Sequence, residues 1–486
     1  MGLKRLNLFI VLHLVSIIIL FESVFMLLAL VVSFIYVEKV EIHFLEAFLI
    51  SVGIGGALFW FTKKFKHQEP TSQESMAVAV LGWMAMALIG TLPYLVTASI
   101  PHFADALFES MSGFTTTGSS ILTDIEALPK SILFWRSLTH WIGGMGIVVL
   151  VVAVMSYIKS SGAQLFSNEA SVVVEEKISS RIKTIARQAW FIYVGLTLIE
   201  TILLLFGGMD LFDAICHSFA TVATGGFSTK NSSITDFSPY IQYVITIFML
   251  LSGINFSLHI LCVHKQFKKA LRNEEMRAYL GIIGVVTFLL TVLLYRHFPI
   301  TLEKAFRDSF FQVVSIITAT GFATADYLIW PIQGIILIGI LMFIGASAGS
   351  TGGGIKVIRH VISFKYLRNC INQKTNPNAV YPVKYNGKVI SEKQISGIIT
   401  FVLIYYSVVI IGTFVMSVMG NSWATSFGSV LTTMGGMGPG FGLVGPASNF
   451  SMLSDPSKYF LCFTMLLGRL EIFPVIALFS AWFWKK

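Results

Sequence analysis

Ten apolar stretches of membrane length run through this chain of 486 residues, and they leave it little choice of solvent. They cover residues 6–37, 44–61, 76–100, 132–158, 189–206, 240–263, 278–295, 332–358, 395–419 and 459–484. A hydrocarbon core about 30 Å thick takes roughly 20 apolar residues of helix to cross. The rest of the chain cannot hide that much apolar surface from water. Only 12% of residues are charged, against about 25% in a soluble domain, and the mean hydropathy is +0.77. The first stretch is too long for a secretory signal and lacks a small-residue cleavage site, so it reads as a membrane helix. The expected class is an all-α polytopic membrane protein.

The net charge of +9 does not point to nucleic acid, because its distribution is periodic. Lys and Arg gather in alternate connections: Lys4/Arg5, Lys63 to Lys66, Lys177 to Arg187, Lys265 to Arg277, Lys356 to Lys393, and Lys485/Lys486. About 25 of the 34 basic residues fall on that side, which the positive-inside rule makes cytoplasmic. Both termini are then inside, as an even number of crossings requires. The four cysteines are scattered and form no CxxC pair.

Four of the connections on the other side repeat one pattern. Segments 105–118, 213–226 and 308–321 each run from an Asp to a Gly thirteen residues later; 425–438 keeps the spacing with Thr425 in place of Asp. Each holds a short apolar helix and then a small, hydroxylated turn. About ten residues cannot cross a bilayer, so each segment must enter and return. Irregular backbone at that depth survives only inside protein or beside a water-filled cavity. Asp105, Asp213 and Asp308 are expected to cap the half-helix N-termini. The C-termini then point inward, each with roughly half a negative charge. Gly118, Gly226, Gly321 and Gly438 can take φ > 0 and turn consecutive carbonyls toward a common axis. With Thr116, Thr117, Thr224, Gly225, Ala319, Thr320, Gly436 and Met437 they form a candidate cation site of backbone oxygens, which can replace the hydration shell of K⁺.

The units read as an N-terminal helix pair (1–68) and four helix–pore loop–helix repeats around one pore: 69–160, 161–275, 276–375 and 376–486. At 114–119, 225–229, 348–359, 377–381, 438–442 and 467–472 the sequence resembles the Trk/Ktr/HKT superfamily of K⁺ transporters, most of all its TrkH/TrkG membrane subunits. The resemblance spans essentially the whole chain. It implies K⁺ uptake in a bacterial cytoplasmic (inner) membrane, a homodimer, and a cytoplasmic TrkA-like nucleotide-binding regulatory subunit, with K⁺ as transported ion and no bound cofactor. In that superfamily a serine replacing a filter glycine goes with Na⁺ permeation; all four positions are Gly here. The fourth loop departs from the pattern, with Gly435-Gly436 where relatives commonly carry Asn-Asn that would brace the filter.

The run 345–354 interrupts the second helix of the third repeat. Glycine costs a helix about 1 kcal/mol per residue relative to Ala, and three in succession exceed what close helix packing needs. Gly345, Gly349, Ser350, Thr351, Gly352, Gly353 and Gly354 are therefore expected to form an intramembrane loop, and the resemblance implies that it gates. Arg469 lies within the last apolar stretch, where a charge faces a cavity or a partner; the resemblance implies a place in the pore under the filter. Lys356 and Arg359 read as cytoplasmic anchors or gate contacts. His140, His217 and His259 lack metal-ligand spacing and read as structural, and Glu109 and Glu200 are conceivable proton or cation sites. Passive flux, H⁺- or Na⁺-coupled symport and a Na⁺-permeable pore share this fold. A membrane-embedded enzyme would need clustered carboxylates or His at a membrane face; the longest polar stretch, 364–394, has one acid, Glu392, and looks like a docking surface.

Overall fold

The computed structural model describes residues 6–66, 68, 70–157 and 179–484. The basic pairs Lys4/Arg5 and Lys485/Lys486, the start of the basic run at Lys177, and the unit boundaries at 68/69 and 160/161 lie outside the described residues. The chain is an all-α polytopic membrane protein. Helices α1 (Leu8–Tyr36) and α2 (Glu41–Thr62) form the N-terminal hairpin, and α1 also packs against the first helix of the repeats, α3 (Ser72–Ile89). A capping box starts α3: the Thr71 hydroxyl accepts from Glu74 N–H while Glu74 accepts from Thr71 N–H.

Four short helices follow the four repeated segments: α4 (Phe103–Phe114), α7 (Leu211–Val222), α11 (Leu302–Ile317) and α15 (Trp423–Gly435). Each is followed by a loop and a second long element. These are α5 (Lys130–Tyr157), the pair α8 (Pro239–Ser252) and α9 (Phe256–Val263), the pair α12 (Ile332–Leu341) and α13 (Val357–Thr375), and the pair α16 (Asp455–Arg469) and α17 (Phe473–Phe479). The remaining long helices are α6 (Ser179–Phe206), α10 (Glu274–His297) and α14 (Glu392–Val418). A two-stranded hairpin, Lys384–Tyr385 with Lys388–Val389, turns through Asn386-Gly387 between α13 and α14. Both turn residues have positive φ, as a two-residue hairpin loop of this kind requires.

Two expectations need correction. The aspartates are not N-caps. The caps are His102, Asp210 and Thr301, because these helices begin earlier than the repeat spacing suggests. Asp105 and Asp213 occupy first turns, where a carboxylate still favours the dipole, and Asp308 lies two turns in. Their side chains hold other elements instead. Asp213 accepts from Thr229 Oγ1 at 2.6 Å, Asp308 from Thr324 Oγ1 at 3.3 Å, and Asp105 pairs with Lys458.

Nor are all ten stretches straight crossings. Among the described residues six helices are long and apolar enough to span a membrane; α8/α9 and α16/α17 are bent pairs, at 101° and 120°. Gly253 and the Asn255 cap, which accepts from Ser257 N–H, make the first bend. Glu471 and Ile472, both at positive φ, and Pro474 make the second. The third repeat breaks at 342–356, as its glycine content requires. Only the first repeat's second helix, α5, runs through.

The broken third-repeat helix is held by a buried carboxylate. Glu275, at the start of α10, accepts from Ala348 N–H (2.7 Å), inside the glycine run, and from Ile358 N–H (3.1 Å), in the helix that follows it. Removing it leaves two buried donors, each costing about 1–3 kcal/mol unsatisfied. Glu275→Ala should therefore lower the melting temperature in detergent sharply, while Glu275→Gln, which keeps an acceptor, should stay near wild type.

Candidate functional site

All four short helices end in the same way. A left-handed residue closes each: Thr116 (φ 53°), Thr224 (54°) and Ala319 (59°), each just after the cap, and Gly436 (68°), which is itself the cap. The next N–H reaches back to close a Schellman turn: Thr117 to Ser112 O (2.9 Å), Gly225 to Ala220 O (2.8 Å), Thr320 to Ser315 O (2.9 Å) and Met437 to Thr432 O (3.0 Å). One residue further on, Gly118, Gly226, Gly321 and Gly438 have φ between 76° and 86°. Gly436 takes the left-handed position at less cost than Thr116 or Thr224.

These glycines form a closed circuit. A methyl group built on Gly118 would lie 2.2 Å from Gly225 O, on Gly226 1.9 Å from Thr320 O, and on Gly321 2.1 Å from Met437 O. On Gly438 it would lie 3.1–3.2 Å from the Gly118 and Thr117 oxygens, which returns to the start. Each glycine is therefore fixed twice, by its φ and by the carbonyl of the next loop. Hydrogen bonds stitch the same junctions. Ser233 Oγ accepts from Ala323 N–H, Tyr327 donates to Gly440 O (2.8 Å), and Ser119 donates to Gly438 O (3.2 Å).

A second set of residues braces the first three loops from behind, at the fourth position after the repeat's Asp; in the fourth repeat Ser429 stands there and donates to Ser426 O in its own helix. Glu109 accepts from Ser120 Oγ and Ile121 N–H, His217 Nε2 meets Ser228 Oγ at 2.9 Å, and Gln312 donates to Ala325 O at 2.9 Å. Glu109 is also ion-paired to buried Arg136 at 2.5 Å, and Arg136 donates to Ser228 O and lies 3.6 Å above the Phe227 ring. Reading the repeats in register shows a polar residue at this position each time; Glu109, a conceivable proton or cation site by sequence, has its carboxylate taken up by Ser120, Ile121 N–H and Arg136, and His217 is a structural contact. Glu200 lies buried in α6. Among the described residues no group of three or more His, Cys, Asp or Glu could hold a metal ion.

A family model described as a cation transport protein, TrkH, matches residues 40–486. The chain belongs to the TrkH family. The relatives include the "Trk system potassium uptake protein TrkH" of Escherichia coli (strain K12), 38% identical over 94% of this chain and 95% of that one. They also include the "Trk system potassium uptake protein TrkG" of the same strain, 36% identical over 98% and 99%. The crystal structure of the potassium transporter TrkH from Vibrio parahaemolyticus superposes with a TM-score of 0.89 at 31% identity, covering 99% of this chain and all of that one. TrkH-family proteins are transporters, not enzymes.

In this TrkH-family chain the glycine run lies directly under the ring. Thr351 Oγ1 donates to Val222 O (3.1 Å) and Ser252 O (3.3 Å). A methyl group on Gly352 would lie 2.6 Å from Thr318 O, and one on Gly353 2.2 Å from Gly435 O. The loop thus touches the C-terminal ends of three short helices. Gly345 N–H bonds Ile355 O, Gly349 O accepts from Phe256 N–H, Ser350 Oγ donates to Ser347 O, and Gly354 (φ 71°) lies against Gly345. Arg469 supplies the fourth side: it donates to Thr116 Oγ1 (3.1 Å), Thr351 O (3.2 Å) and Gly143 O (2.6 Å). Lys356 and Arg359 are buried contacts of this region and not surface anchors; Lys356 donates to Gly352 O, and Arg359 pairs with Glu471.

The ring predicts unequal tolerance. Gly226→Ala combines a left-handed φ with a clash against Thr320 O and should cost about 3 kcal/mol. Gly436→Ala has no atom nearer than 4.0 Å and should cost about 1 kcal/mol. Thermal unfolding of the two purified variants in detergent checks the ordering.

Proposed function

We propose that this chain takes up K⁺ across the bacterial cytoplasmic membrane, through a selectivity filter made of the carbonyls around Gly118, Gly226, Gly321 and Gly438. The observation that carries the reading is the closed circuit of four loops, each glycine pressed against the carbonyl of the next. Backbone oxygens held this rigidly can replace water around a cation of one size. The names borne by the relatives, potassium uptake proteins of Trk systems, support K⁺ as the ion. Each repeat (69–160, 161–275, 276–375, 376–486) then supplies one wall of a single pore. The 345–354 loop acts as gate, with Arg469 as a positive barrier on the path below the filter. The proposed assembly is a homodimer in membrane lipid with both termini cytoplasmic. A TrkA-like nucleotide-binding subunit controls the gate from the side where α13 and the basic hairpin stand.

Reconstitution in proteoliposomes tests this. Gly321→Ser should shift the reversal potential under a K⁺/Na⁺ gradient toward lower K⁺ selectivity, and unchanged selectivity on Ser substitution at each of the four glycines would remove the filter. Arg469→Ala should raise ⁸⁶Rb⁺ uptake; reduced uptake by a stably folded variant would discard the barrier role.

A further inference from the structure

His140 lies on α5, fully buried, with one ring nitrogen committed to the last turn of α4, from which the first loop leaves, and the other to the second loop. Nδ1 is 2.8 Å from Gly113 O, the carbonyl that also receives Thr116 N–H and so shapes the first filter turn. That oxygen can only accept, so Nδ1 carries the proton, and Nε2 of the neutral ring is left as an acceptor. Nε2 faces Phe227 N–H at 3.3 Å, in the residue that follows Gly226. The ring stacks on Phe227 with centroids 4.0 Å apart. A methyl group on Gly225 would fall 2.4 Å from His140 Cγ, so the second loop lies flush on the imidazole. Further along the same helix, Gly143 seats against Phe114 O and Gly144 against the Ala223 Cα.

We infer that His140 is a specificity-determining positioning residue, whose imidazole sets the distance between the first and second filter loops and thereby the discrimination between K⁺ and smaller alkali ions. This rests on the filter reading above. A ring spanning two loops by two opposed hydrogen bonds acts as a spacer: if either loop moves inward, one bond is lost.

The two nitrogens can be separated by substitution. Asn places an amide N–H near the Nδ1 position and keeps the bond to Gly113 O without reaching Phe227. Gln places its carbonyl oxygen near the Nε2 position and keeps the acceptor for Phe227 N–H. Purified His140→Asn, His140→Gln and Gly226→Ser are reconstituted, their melting temperatures recorded, and K⁺/Na⁺ permeability ratios measured by reversal potential. His140→Asn and His140→Gln, each short of one of the two bonds, should each lower the ratio about tenfold, the size of one lost hydrogen bond. Wild-type ratios in both variants overturn the inference. If Gly226→Ser changes selectivity while His140→Asn does not, the filter stands and His140 is only packing. If neither does, the filter reading falls and the inference with it. Should the variants not fold, ¹⁵N spectra of the wild-type imidazole decide: the Nε2 resonance should move between K⁺- and Na⁺-loaded protein, and a fixed resonance overturns the proposal.

Discussion

Backbone that leaves the helix inside a bilayer has no water to turn to, and every choice in this molecule follows from that. Four loops descend to membrane depth with their carbonyls unpaired along the chain. Each donor that could have stayed orphaned is closed by a Schellman turn, and each junction between loops is closed by a side chain: Ser233, Tyr327, Ser119 and His140. Glu109, His217 and Gln312, four positions after their aspartates, complete the second layer. Buried Glu109 and Arg136 would each be costly alone. Together, with Ser120, Ile121 N–H and Ser228 O as partners, they lock two loops at once. Under the proposed function, the carbonyls that close the circuit of loops are what a bare cation would use.

The repeats and their glycines were legible in the sequence because they depend on local facts: a helix too short to cross, a turn that needs φ > 0. The membrane class was legible for the same reason. The bends were not. An apolar run such as 240–263 looks continuous to any measure of hydropathy, and Gly253-Ile254-Asn255 is a break only because Gly253 O accepts from Ser347 N–H in another repeat. The aspartates misled because a carboxylate near a helix start satisfies the dipole whether or not it caps; where Asp213 and Asp308 point is decided by threonines sixteen residues on. His140 carried no local signal at all. Its role exists only where α5, the first loop and the second loop meet, and no spacing along the chain records that meeting.

The four walls are not equal, and the inequality has a direction. In the first repeat α5 runs unbroken from Lys130 to Tyr157 and carries Arg136, His140 and Gly143 on the face that meets the loops. In the other three repeats the corresponding helix breaks beneath the ring, and the breaks are tied to one another. Ser347 N–H bonds Gly253 O, Phe256 N–H bonds Gly349 O, and Arg359 joins the third break to Glu471 at the fourth, its guanidinium 3.8 Å above the Phe401 ring of α14. A single loop swinging alone would strand buried donors from two neighbours. The cheaper movement shifts the lower halves α9, α13 and α17 together against a fixed α5. Under the proposed function, a displacement of α13 would then reach the glycine run through Lys356 and Glu275, while the ring rests on the one continuous helix.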